Sequence, residues 1–147
     1  MTNEQQYKIG EFAKLVGLSS FTLRYYEKEG LIKPRRNSAG LRYYTEHDIK
    51  WVGFLLHLKG TGMRINEIIK YVELRAQGDA TIKERREMLS QVKENALSEM
   101  AELQHNIEII SHKIDWYDGK VSHGTNEDEV SEDISFEKYL EQFAIYD

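Results

Sequence analysis

Arginine and tyrosine crowd one stretch of this chain. From Ser19 to Thr45 the sequence runs SSFTLRYYEKEGLIKPRRNSAGLRYYT, with Arg24, Tyr25 and Tyr26 in its first part and Arg35, Arg36, Arg42 and Tyr43 in its second. A guanidinium can bond a guanine edge bidentately or pair with a phosphate, and a tyrosine hydroxyl can bond a phosphate oxygen while its ring packs against the sugar. The chemistry on offer is therefore contact with DNA, and Ser20 and Thr22 bring short hydroxyls to the same surface. Residue type does not divide the base readers from the backbone holders.

Two elements must position these side chains. Ser19 can cap a helix, Leu23 and Tyr26 lie three apart on one face, and Gly30 supplies a left-handed stop, so a short helix is predicted between them. With Leu23 and Tyr26 turned to the core, Arg24 is rotated roughly 100° from Leu23 and Tyr25 roughly 200°, so both can point outward. After Pro34, turn-forming Asn37, Ser38 and Gly40 separate two short extended pieces, which predicts a hairpin with arginines on both arms. Upstream, Ile9, Phe12, Ala13, Leu15 and Val16 fit one face of a helix closed by Gly17. The two helices form a helix-turn-helix and the hairpin a wing beside it.

These residues carry a resemblance. YKIGEFAKLVGLSSFTLRYYEKEGLI followed by GLRYYTEHDI is similar to the head of the MerR family of bacterial transcriptional regulators, whose pattern runs I-G-E-x-A, G-V-S, T-L-R-Y-Y-E, G-L, then G-Y-R-x-Y. The match spans Tyr7 to about Gln77. Leu18 stands where valine is usual and Leu41 where an aromatic is common, which bears on one wing contact. The resemblance implies a homodimer whose long helices pair antiparallel, with two heads on an inverted repeat inside an overlong promoter spacer. Such heads bend and untwist the spacer so that RNA polymerase can engage, a form of indirect readout.

The charge is divided to match. The chain is −5 overall, but residues 1–78 hold 13 Lys/Arg against 8 Asp/Glu, residues 79–118 hold 5 against 9, and residues 119–147 hold 2 against 8. Screening confines such fields to about 8–10 Å at physiological salt, so a basic head suffices for phosphate contact. Zero cysteines removes disulfides, zinc knuckles and thiolate ligands together. The chain shows no charged-then-apolar leader and no run of eighteen apolar residues, so the expected place is the cytoplasm, with no membrane partner.

Beyond the wing, Thr45-x-x-Asp48 is a capping box opening a helix with Ile49, Val52, Leu55 and Leu56 as its buried stripe, ended by Gly60 and Gly62. A fourth helix from about Arg64 is expected to bury Ile65, Ile68, Ile69 and Val72 and to stop at Gly78. Lys59 and Arg64 are candidate phosphate contacts, with the N-terminus of the fourth helix as an anion seat; ordinary helix-end surface charge is the alternative. Thr81-x-x-Glu84 is a second capping box. From there to Asp118 neither Gly nor Pro intervenes, which predicts a helix of roughly 55 Å at about 1.5 Å per residue. Leu89, Val92, Ala96, Met100, Leu103, Ile107, Ile110, Ile114 and Tyr117 step mostly by threes and fours along it, the seam of a coiled coil whose expected partner is a second copy.

Gly119 to Asp133 reads as an acidic flexible strap. A short terminal helix follows around Ser135, with Ile134, Phe136, Tyr139, Leu140 and Phe143 at helical spacing. Trp116, Tyr117, Phe136, Tyr139 and Phe143, with Tyr146, make a local density of rings. They suit packing on the body of the protein, a small organic effector, which beside the acidic strap is expected to be apolar or cationic, or a protein partner. His105, Glu108, His112 and Asp115, with Asp118 and His123 beyond, are spaced to hold a divalent metal, but polar residues must also cover the outer face of a coiled coil, and the solvated face is the preferred reading. Metal-sensing members of the resembled family place cysteines near the end of this helix, and this chain has none.

No phosphate loop, G-x-S-x-G elbow or H-E-x-x-H is present, so neither catalysis nor a cofactor is expected. The expected fold is mainly α with a small β-hairpin wing: a head at 1–78, a dimerisation helix at 79–118 and a strap with a terminal helix at 119–147. An excisionase-like DNA-bending module and a coiled-coil adaptor are the rival functions. The first has no use for the long seam, and the second none for the wing arginines.

Overall fold

The structure, a computed structural model, describes residues 4–123 and 136–143. Its order is α1 (Ile9–Val16), α2 (Ser20–Lys28), β1 (Arg35–Arg36), β2 (Arg42–Tyr43), α3 (Glu46–Gly60), α4 (Ile65–Ala76), a 3-10 turn (Gly78–Thr81) and α5 (Ile82–His123). One compact unit runs to Ala96, and a second begins at Leu97. No helix among the described residues is long and apolar enough to cross a membrane.

The core of the first unit is built from Phe12 and Ala13 of α1, Leu23 and Tyr26 of α2, Leu31, Ile32, Tyr44, and Val52, Leu55 and Leu58 of α3, closed by Met63, Ile68 and Tyr71. Three assignments shift. Leu15 stands exposed, because the short α1 turns Phe12 and Ala13 inward and leaves it off that face. Ile65 is also exposed, whereas Ile68 is buried as expected and Ile69 and Val72 pack half-buried against the core, with Tyr71 and Leu74 extending the buried face of α4. Thr81 does not cap with Glu84: its hydroxyl donates to the carbonyls of Leu74 and Gly78, and the long helix is entered through the 3-10 turn. By contrast the Thr45 box forms, with the Thr45 amide donating to Asp48 Oδ2 at 2.9 Å.

Helix α5 continues through Gly119 to His123, so glycine does not end it. Glycine lowers helix propensity by about 1 kcal/mol without forbidding the conformation. The remainder of the strap, the start of the terminal helix at Ile134 and Ser135, and Tyr146 lie outside the described residues; residues 136–141 are helical. At the other end of α5, Met88, Leu89 and Val92 pack against the core of the first unit. The first part of the predicted seam thus serves the head's own interior. The later part is different: Met100, Leu103, Ile107, Ile110, Ile114 and Tyr117 are 45–66% exposed.

The segment before α1 is anchored more firmly than its polar residues suggest. Tyr7 and Tyr44 exchange both backbone hydrogen bonds at 2.8 Å, adding a bridge beside β2. The Tyr44 ring stacks on Phe12 with centroids 4.2 Å apart. Its hydroxyl is buried with no partner among the described residues. Burial first, then the nearby Glu27 carboxylate, pushes its pKa above the ordinary tyrosine value, with Arg42 opposing. Tyr44→Phe should therefore stabilise the head by about 1 kcal/mol, since it removes an unsatisfied donor and keeps the stack. The raised folded-state value means that the native state is favoured while the hydroxyl is protonated and is lost as pH rises through that value. Thermal melts should show the variant losing less stability than the parent on the alkaline limb above about pH 10.

Candidate nucleic-acid interface

Helix α2 is locked on one side. Ser19 Oγ accepts from the Thr22 amide at 3.0 Å, Leu23 and Tyr26 are buried, and Gly30 takes φ 78° so that the Leu31 amide returns to Tyr26 O. The opposite side stands out: Arg24 and Tyr25 are both exposed, and the Arg24 side chain has no hydrogen bond or ion pair among the described residues. Ser20 is half-buried at the first helical position. Thr22 is half-buried too, its hydroxyl 2.9 Å from Ser19 Oγ, so it serves the cap as well as the surface.

The hairpin pairs Arg35 with Tyr43 and Arg36 with Arg42. Asn37 fixes the turn, its side-chain oxygen accepting from the amides of Ala39 and Leu41 while Gly40 takes φ 76°, a conformation that favours glycine. The wing arginines are not equivalent. Arg35 is the most open, with Glu4 at 3.6 Å. Arg36 donates to the Gly40 carbonyl at 3.0 Å and lies 3.4 Å from Glu27. Arg42 is only 27% exposed in its side chain, and its Nε donates to Glu27 Oε2. Tyr43 is half-buried beside it. Glu27, on α2, therefore clamps the wing to the recognition helix and neutralises part of two positive charges.

Lys59 and Arg64 are exposed and share a depression of about 480 Å³ with Thr22, Tyr25 and Met63. The ten predicted contacts thus fall into two clusters, six on the α2 face with this depression and four on the wing. The N-terminus of α4 is less open than expected. Glu67 Oε1 accepts the Arg64 amide at 3.2 Å and Asn66 Oδ1 accepts that of Glu67, so local side chains take amides a phosphate would need. The side chains of Lys59 and Arg64 remain.

Sequence reasoning missed Glu27 and Phe21. Glu27 and Glu29 are the acids between Arg24 and the wing, both half-buried, and Glu27 is the one paired with wing arginines; an acid inside an arginine-rich stretch was the available signal. Phe21 is 78% exposed and precedes Arg24 and Tyr25 by three and four residues, the spacing of one helical face.

In the second unit, Phe136, Tyr139 and Phe143 gather against α5. Phe143 stacks on His112 at 3.9 Å, Tyr139 meets the same imidazole edge-on, and Phe136 lies 5.7 Å from Trp116. Tyr117 lies 5.4 Å from Trp116. His112 is therefore packed among rings and does not belong to a solvated helix face. Lys113 Nζ lies 4.4 Å from the Trp116 centroid and 4.1 Å from that of Phe136. Among the described residues no group of three His, Cys, Asp or Glu side chains could hold a metal ion.

A capped recognition helix, the helix before it and a clamped arginine hairpin define a winged helix-turn-helix, the head of a DNA-binding transcriptional regulator. The family model for the MerR HTH family of regulatory proteins matches residues 7–75. An uncharacterised HTH-type transcriptional regulator of Haemophilus influenzae is 34% identical over 112 residues, covering 76% of this chain and 83% of that one. The regulator AdhR of Bacillus subtilis is 42% identical over 83 residues, 56% of this chain and 59% of its own length. Among solved structures, HiNmlR, described as a MerR family regulator lacking the sensor domain and bound to promoter DNA, superposes with a TM-score of 0.73 at 32% identity, covering 82% of this chain and 92% of the other. This chain belongs to the MerR HTH family.

The Glu27 clamp makes a prediction of its own. Glu27→Gln frees the charge of Arg36 and Arg42, so the slope of log affinity against log salt should steepen by about one per head while specificity falls as the wing loosens. Titration of random-sequence and selected duplexes at four salt concentrations measures both. An unchanged slope would mean that the two arginines face away from phosphate.

Proposed function

We propose that this protein binds promoter DNA as a homodimer, with α2 in the major groove of each half-site and Arg35, Arg36, Arg42, Tyr43, Lys59 and Arg64 toward the phosphates. It acts in the cytoplasm without catalysis and regulates RNA polymerase indirectly, by bending and untwisting the promoter. The observation that carries this is the outward face of α2, where exposed Arg24, its side chain without an ion pair among the described residues, and exposed Tyr25 project from a helix whose other face is fixed in the core. The exposed apolar ladder on α5 supports the homodimer, since six large side chains in heptad spacing otherwise face water. HiNmlR on promoter DNA supports the same mode. Selection from a random duplex library, followed by fluorescence transfer between the DNA ends, tests it. The expected product is an inverted repeat whose ends approach on binding; recovery of single half-sites or unbent DNA contradicts the proposal.

The ring cluster favours a second element, a small organic effector bound by Trp116, Tyr117, Phe136, Tyr139 and Phe143. Because the Lys113 ammonium already lies over three of these rings, those of Trp116, Tyr117 and Phe136, the site suits a neutral or acidic aromatic molecule better than a cation. A thermal-shift panel should show stabilisation by such molecules and none by quaternary ammonium compounds or divalent metals. The reverse pattern contradicts it.

A further inference from the structure

We propose that Phe21 reads thymine, its ring seated against the C5-methyl group of a thymine in the major groove; this rests on the promoter-binding reading above. Phe21 is the second residue of α2 and is 78% exposed. It makes no ring contact within the chain among the described residues, whereas its neighbours Tyr25 and Tyr26 lie ring to ring at 6.3 Å. Large apolar side chains left this open on a small basic surface signal a partner, and the one-face spacing with Arg24, Tyr25 and Lys28 states where that partner lies.

The chemistry of the groove selects the ligand. A phenyl ring neither donates nor accepts a conventional hydrogen bond, so it gains nothing from phosphate oxygens or from the polar edges of guanine, adenine and cytosine. Thymine alone presents an apolar group in the major groove. The first residues of a recognition helix are also those placed nearest the base edges. Ser19 and the buried pair Leu23 and Tyr26 hold the backbone on both sides of Phe21, so the ring is presented from a fixed base.

The test removes one methyl group at a time. The full-length protein is used to select a preferred duplex from a random library, and each thymine in the selected site is then replaced by deoxyuridine, which preserves base pairing. The parent protein should lose about four- to tenfold in affinity at one thymine position per half-site, the scale of one buried methyl group. Phe21→Ala should bind the unmodified duplex with a comparable loss and show no further loss with deoxyuridine there. Since the side chain is exposed, this variant should keep the parent melting temperature, and Phe21→Leu should retain part of the methyl dependence. Equal deoxyuridine penalties for parent and Phe21→Ala, or no penalty in a tightly binding parent, would overturn the thymine assignment and leave promoter binding intact. Failure of the parent to enrich any sequence would overturn both.

Discussion

Arg24→Ala should remove sequence discrimination, lowering affinity for the selected operator by about 30-fold or more while leaving binding to random duplex within a fewfold of the parent. A bidentate arginine–guanine contact contributes about 1–3 kcal/mol of discrimination, and a homodimer loses it twice. Arg24 is suited to this role because it is free of ion pairs among the described residues and is carried by a helix pinned through Leu23 and Tyr26. Arg42→Ala should behave differently. That side chain is held by Glu27, so its loss should loosen the wing and weaken all sequences nearly uniformly. Full specific affinity in Arg24→Ala would refute the placement of α2 in the groove.

The second large effect concerns association. Leu103→Lys and Ile110→Lys should each convert the dimer to monomers, raising the dissociation constant by at least about 100-fold. Burying a leucine or isoleucine contributes on the order of 1.5–3 kcal/mol, each position occurs twice in a dimer, and a lysine there must also be desolvated. Both residues are about 60% exposed in the single chain, so neither substitution removes a contact on which the monomer's own core depends. Sedimentation equilibrium gives the answer, and dimers in both variants would place the interface elsewhere.

Much of this molecule was legible because its signals are local. The Ser19 cap, the Thr45 box, the glycine at 30 and the Asn37 turn each act over a few residues, and each is found where its chemistry puts it. What escaped is what depends on partners distant in sequence. Glu27 meets Arg42 across fifteen positions, and Tyr7 finds Tyr44 across thirty-seven; no periodicity encodes either pairing. The heptad pattern on α5 is continuous, yet Leu89 and Val92 turn to the head's core while Met100 and the residues after it do not. A repeat reports which face is apolar, not what will cover it. His112 was likewise assigned by spacing to a wet face, and the packing of Phe143 moved it among rings.

The paired amides and carbonyls of Tyr7 and Tyr44 also matter at the bench. Tyr44 follows directly on the last residue of the wing, so anything fused ahead of the six residues that precede Tyr7 is tethered close to the surface proposed to meet the duplex. A polyhistidine tag there adds titratable positive charge next to Arg35 and Arg42, and a fluorescent protein adds bulk at the same spot. Affinities measured on such fusions would report the label as well as the protein, so a cleavable tag is the appropriate choice for every titration described above.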